Sequence, residues 1–171
     1  MRQRPLRLVD QDVDRFAGLE PVDLTECEVA SLVRLALRAL ECAHRIGEKL
    51  QDPEQTRSYL RLLLGERKNE VFGCVFLDNR HRVRAVKELF QGTIDGASVH
   101  PRVVVQQALE LNSAAVVLFH NHPSGVAEPS QADLRITQRL KDALALVDVR
   151  VLDHFVVSVE DSVSFAERNL I

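Results

Sequence analysis

A chain of 171 residues that is 46% hydrophobic and 27% charged has the material for a real core, which excludes a disordered segment and fits one medium domain, or one compact domain with an appendage. Its formal net charge of -3 and pI near 6.1 argue against broad attraction to nucleic acid or anionic membrane, although a local basic patch would be hidden in such a total. The apolar runs are too short to span a bilayer, and the opening MRQRPLRLVDQDVDRF lacks the apolar centre of a secretory signal.

Three cysteines, Cys27, Cys42 and Cys74, are an odd number without CxxC spacing. They read as reduced, mostly packed thiols of a cytoplasmic protein. Residues 1–23, polar and carrying Pro5 and Pro21, read as a loose arm. Thr25-x-x-Glu28 is a capping box, in which each residue serves the other's backbone N–H. Val29, Leu32, Val33, Ala36, Leu40, Ala43 and Leu50 follow at helical spacing and predict a helix that stops near Asp52-Pro53. A second helix starts there and passes through Tyr59, Leu60, Leu63 and Leu64. Residues 1–50 are thus an N-terminal arm and helix, and 51–171 the main domain.

The period then changes. Glu70 to Leu77 is a buried strand, turned at Asp78-Asn79 into a second strand, Val83 to Phe90. Gly92 to Gly96 makes a loop, and Pro101 opens a helix through Leu111, because proline suits the first helical turn. A strand over 114–120 comes next, then a loop, a helix from Ser130 to Leu146, a strand from Arg150 to Val159, and Ser162 to Phe165 as a short hairpin partner. The order β-β-α-β-α-β(-β) behind a helical region predicts an α/β fold: a mixed sheet with helices on both sides, in three layers.

One stretch carries chemistry: HNHPSGVAEPSQAD, placed directly after the apolar run Ala114 to Phe119. Side chains alternate along a strand, so His120 and His122 share a face. A carboxylate from Asp133 would complete three ligands and leave a fourth tetrahedral position open, as a hydrolytic zinc site requires. Ligands also gather at the carboxyl ends of strands in α/β sheets, where these histidines fall. Such an ion would bring the pKa of a bound water towards about 7, and a glutamate outside the ligand set would serve as general base. Ser130-x-x-Asp133 is equally a helix N-terminal signature, and one aspartate can do both jobs because it has two oxygens. Asn121 and Ser124 read as turn residues.

The stretch resembles the JAMM (MPN-plus) metalloprotease signature, a glutamate followed by H-x-H-x7-S-x2-D. The segment from about Asp52 onward is similar to the bacterial RadC-like family in Glu70-Val71-Phe72, Leu77-Asp78, Leu89-Phe90-x-Gly92-Thr93, Val99-His100-Pro101-Arg102, His120 to Gly125, Pro129-Ser130-x-x-Asp133, Leu152-Asp153-His154 and Ser164-Phe165. That resemblance implies a cytidine-deaminase-like JAMM/MPN sandwich, one Zn²⁺, and peptide or isopeptide hydrolysis on a protein or peptide substrate. It implies His120, His122 and Asp133 as zinc ligands and Ser130 as a hydroxyl that stabilises the oxyanion. Glu70 is the favoured general base, with Glu88 its rival. Longer relatives carry a helix-hairpin-helix segment with a Gly-rich turn; the N-terminal region here shows a helix and no such turn.

Other function classes are separable. A DNA-repair accessory protein with zinc bound and little turnover is the alternative, and net acidity together with the missing hairpin turn argues against autonomous DNA binding. A nucleobase deaminase would need H-x-E with P-C-x-x-C, and neither occurs. His100 and Arg102 at a helix start either line a cleft or serve helix entry. His154 is either a strand histidine or a partner of a ligand, and His44 and His81 read as surface residues.

Overall fold

The computed structural model describes residues 24–43, 47, 49–50, 53–64, 67–92 and 98–171, with the backbone alone for 37–43. The expected arm over 1–23, His44 and the loop residues 93–96 lie outside these. The elements among the described residues are, in chain order, α1 (Glu26–Ala43), α2 (Pro53–Leu64), β1 (Val71–Leu77), β2 (Val83–Gln91), α3 (Pro101–Glu110), β3 (Ala115–Asn121), α4 (Gln131–Ala145), β4 (Arg150–Val157) and β5 (Ser162–Ser164). The Thr25 capping box forms as expected, with Thr25 N–H donating to the Glu28 carboxylate at 2.9 Å and Glu28 N–H to Thr25 Oγ1 at 3.4 Å. The first helix is shorter than its periodicity suggested. It ends at Ala43, and Gly47, at φ 96°, and Leu50 instead donate their N–H groups to the carbonyls of Val83 and His81. An apolar spacing can outlast the helix when the following segment finds backbone partners beside a strand.

The strands form one mixed sheet in the order β2-β1-β3-β4-β5. β3 and β4 run parallel, and every other neighbouring pair is antiparallel. Tyr59, Leu60 and Leu64 of α2 cover one face, against Val75, Val117, Phe119 and Phe155. On the other face Val104 and Ala108 of α3 and Leu140 and Leu144 of α4 pack onto Phe72, Cys74, Phe76, Val116 and Leu118. This is the three-layer arrangement that the element order predicts. Burial on both faces explains why β1 and β3 read as unbroken apolar runs and not as alternating ones.

Two local irregularities shape the sheet. Gly73 lies opposite Phe119 in the β1–β3 register, and any Cβ there would overlap the Phe119 ring. Between β3 and β4 the register slips: Val116 pairs with Val151 but Val117 with Asp153, so Leu152 is an extra residue. Leu152 and Asp153 consequently face the same side, where they line one cavity with Val117 and Phe155. His154 is thereby turned to the opposite face, beside α4, where strict alternation would not have put it.

Candidate metal centre

β3 ends in the two histidines. His120 is 1% exposed and pairs in register with Phe72 of β1, and its ring stacks on the Phe72 ring at 6.0 Å between centroids. His122 lies just past the strand, where its backbone N–H still reaches the Val157 carbonyl at 2.8 Å. The chain then reverses through Pro123-Ser124-Gly125, with Gly125 at φ 88°, a left-handed conformation that glycine adopts without a Cβ penalty. Asp133 arrives from the first turn of α4. Ser130 is the cap of that helix, and cap and carboxylate form the full reciprocal box.

The three side chains converge. His120 Nε2 and His122 Nε2 are 2.9 Å apart, Asp133 Oδ1 is 3.2 Å from the first and Oδ2 3.4 Å from the second. One ligand atom from each of the three lies within 4.8 Å of the others. His122 Nδ1 faces the Val126 carbonyl at 2.8 Å. A carbonyl can only accept, so the proton of a neutral His122 sits on Nδ1 and its Nε2 lone pair points inward. His120 Nδ1 is engaged at 2.8 Å by His154 Nε2, which in turn meets Thr137 through Nδ1 at 2.7 Å.

Burial works to raise the pKa of the Asp133 carboxyl, but its contacts with His120 and His122 outweigh it and hold the group well below the ordinary carboxylate range. The reciprocal effect raises His122: first the Asp133 hydrogen bond, opposed by partial burial, then the Val126 carbonyl and the charges of Asp133 and Glu70. Burial, and after it the charge of His120, pushes His154 well below its usual value, so it stays neutral. An ionised carboxylate and imidazole nitrogens at such separations need a positive charge among them, which the raised His122 supplies as a proton in the metal-free chain and which a bound cation would replace. A divalent cation fits that donor set, and two nitrogens with one oxygen are ligands of the borderline-soft kind.

Glu70 immediately precedes β1. Two residues before Phe72, it comes level in the register with His122, two residues after His120. Its charge is felt by His122, and it stands outside the convergent trio. Glu88 sits in β2 opposite Gly73 and pairs with Arg67 at 2.8 Å. Ser130 Oγ accepts the Asp133 N–H at 3.2 Å.

Asn121 differs from its sequence reading. It is the last residue of β3 and not part of the turn, and it is 2% exposed. Its Oδ1 accepts the Val71 N–H at 2.7 Å, and its Nδ2 donates to the carbonyls of Asn69 at 3.2 Å and Arg67 at 3.4 Å. The carboxamide thus clamps the segment that carries Glu70. Asp153 accepts from the N–H of Ala166 at 2.9 Å and from the Ser164 hydroxyl at 2.7 Å, which ties β5 and the turn after it to β4. His100 caps α3 by backbone conformation alone, ahead of Pro101, and its ring lies edge-on to Phe90 at 6.1 Å.

A three-layer mixed α/β sheet with a His-x-His pair at the end of a central strand and an aspartate in the next helix defines a JAB/MPN-type domain. The comparisons agree: the family described as RadC-like JAB domain matches residues 50–170. The chain is 52% identical over 165 residues to a UPF0758 protein of Nitrosococcus oceani, covering 96% of this chain and 74% of that one. It is 55% identical over 143 residues to a UPF0758 protein of Marinobacter nauticus, covering 84% of this chain and 64% of the relative. A UPF0758 protein of Cellvibrio japonicus is 54% identical over 166 residues, covering 96% and 73%. The chain belongs to the RadC-like JAB domain family. Among the described residues no helix is long and apolar enough to cross a membrane.

Proposed function

We propose that this chain is a zinc-dependent metallohydrolase of the JAMM type that cleaves a peptide or isopeptide bond. The observation that carries the reading is the convergence of His120, His122 and Asp133, whose two nitrogens and one carboxylate fit a divalent cation. These three residues would hold Zn²⁺. Bound there, the ion would act as a Lewis acid and lower the pKa of a coordinated water.

The chain's own residues divide the remaining work. Glu70 takes the proton of the attacking water on its carboxylate and returns it to the leaving amine. It is better suited than Glu88, whose carboxylate is committed to Arg67. Ser130 accepts the Asp133 N–H through its oxygen, which leaves its own O–H free to donate to the substrate carbonyl oxygen as negative charge builds there. The capping geometry keeps that hydroxyl beside the ligand carboxylate. A protein or peptide is the partner class that this chemistry serves. The free thiols of Cys27, which is exposed, and Cys74 suit a reducing compartment, in line with a cytoplasmic setting.

The test combines metal analysis of purified protein with an unbiased peptide and isopeptide cleavage screen of wild type, Glu70→Gln and Glu88→Gln. Zinc is expected in all three. Cleavage should fall about a hundredfold or more in Glu70→Gln and stay near wild type in Glu88→Gln. Equal cleavage by wild type and Glu70→Gln would remove Glu70 from the mechanism. Full zinc occupancy after replacing both His120 and His122 by alanine would refute the ligand set.

A further inference from the structure

We propose that His154 and Thr137 are positioning residues of the metal centre: together they seat the proton of His120 on Nδ1, so that its Nε2 lone pair is the one presented to the ion. The inference rests on the proposed metal centre and adds two residues outside the ligand set.

The proton order is dictated by one backbone carbonyl. Thr137 Oγ1 lies 2.6 Å from the Asp133 carbonyl oxygen. Two oxygens that close need a proton between them, and the carbonyl has none to give, so the hydroxyl proton is committed there. Towards His154 Nδ1, at 2.7 Å, the hydroxyl can therefore only accept, and His154 carries its proton on Nδ1. His154 is fully buried, with the Phe72 and Phe165 rings at 5.5 and 4.7 Å, and a neutral imidazole has a single N–H. Its Nε2 is thus a bare acceptor, and it faces His120 Nδ1 at 2.8 Å. His120 must supply the proton of that bond, which leaves its Nε2 bare and directed at Asp133 Oδ1, 3.2 Å away.

The chain of donors closes on itself. It begins at the main-chain oxygen of Asp133 and ends facing the carboxylate of the same residue. It also depends on the extra residue at Leu152, since only that slip brings His154 to the face of β4 that His120 and α4 share. Partners of this kind, which orient a ligand without touching the metal, typically account for ten- to a hundredfold in affinity, as a rough range.

The experiment uses the purified full chain and zinc alone. Zinc affinity is measured by competition with a chromophoric chelator for wild type, Thr137→Val, Thr137→Ser, His154→Phe, His154→Gln and His122→Ala. In parallel, ¹⁵N NMR of the metal-free proteins reads which ring nitrogen of each histidine is protonated. Thr137→Val and His154→Phe should bind zinc about ten- to a hundredfold more weakly. Thr137→Ser and His154→Gln keep a hydroxyl and an acceptor, and should stay close to wild type. The wild-type spectrum should show His120 and His154 protonated on Nδ1, with the His154 proton moving to Nε2 in Thr137→Val. A role confined to packing would lower the melting temperature without moving that proton. If His154→Phe does not fold, the near-isosteric Thr137→Val and its Ser counterpart carry the test. Unchanged zinc affinity in Thr137→Val while His122→Ala loses the ion would overturn this inference and leave the metal centre standing. A wild-type protein that takes up no zinc would remove the metal centre and this inference with it.

Discussion

Ser130 and Asp133 hold each other from both sides at the start of α4: Ser130 N–H donates to Asp133 Oδ2 at 2.7 Å, and Asp133 N–H donates to Ser130 Oγ at 3.2 Å. The same Oδ2 faces His122 Nε2 at 3.4 Å. One carboxylate thus caps a helix and points at both histidines, so the helix start sets the ligand's direction. The capping reading of this aspartate holds, and its carboxylate stays within reach of both histidines, as the ligand reading needs.

Two substitutions separate those jobs. Ser130→Ala should cost about 1 kcal/mol through the lost cap, which lowers the melting temperature by roughly 2–4 °C in a domain of this size. It should weaken zinc binding only modestly, while cleavage falls on the order of a hundredfold if the hydroxyl serves the oxyanion. Asp133→Asn keeps an oxygen for the cap but loses the charge, so zinc should be lost with a smaller change in stability. Thermal melts and metal titrations read both. An Asp133→Asn protein that binds zinc like wild type would contradict the ligand assignment.

Protons and zinc should compete at this site. In the metal-free protein the His122 pKa is raised by its contact with Asp133, so that contact adds stability below the ordinary histidine pKa, which fades as pH rises through the folded value. Asp133 is shifted the other way, and its contribution is present above the ordinary carboxylate pKa and lost in acid. Zinc must displace the His122 proton, so its affinity should climb as pH rises across that raised value. The thermal shift on adding zinc is therefore expected to grow from pH 5.5 to 8, an order-of-magnitude window about the reference histidine pKa of about 6.5. A flat shift across that range would show that His122 is not the group being displaced.

Gly73→Ala should be strongly destabilising although it adds a single methyl. Its Cβ would overlap the Phe119 ring and come within 2.5 Å of the Lys87 carbonyl oxygen. Overpacking of this kind costs about 1–3 kcal/mol, with the upper end expected here because one obstacle is backbone. Denaturant unfolding gives the value. Phe119→Leu on the same background should restore part of the loss; no recovery would assign the whole clash to the carbonyl.

The convergence of His120, His122 and Asp133 was legible in the sequence because its logic is local. Two histidines at i and i+2 share a face in any strand, and a four-residue capping box aims its carboxylate in any helix. The layering was legible for the same reason, from apolar runs too continuous for a one-sided sheet. His154 was visible only as one of two open readings, because its role depends on the slip at Leu152, and nothing in the letters of β4 announces an extra residue. Thr137 escaped notice altogether: a threonine inside a helix is unremarkable until α4 is laid against β4. Asn121 was misread as a turn residue because its partners, Arg67, Asn69 and Val71, lie some fifty positions earlier in the chain. The end of the first helix was overshot because periodicity carries no information about a competing strand edge.

Asn121 lies between the two histidines but on the opposite side of β3, and it grips the backbone on both sides of Glu70. The fixture for the proposed acid–base group and the proposed anchorage of the ion are therefore neighbouring links of the same strand. Any tilt of that strand end carries both together, so their spacing is shielded from distortions that arise elsewhere.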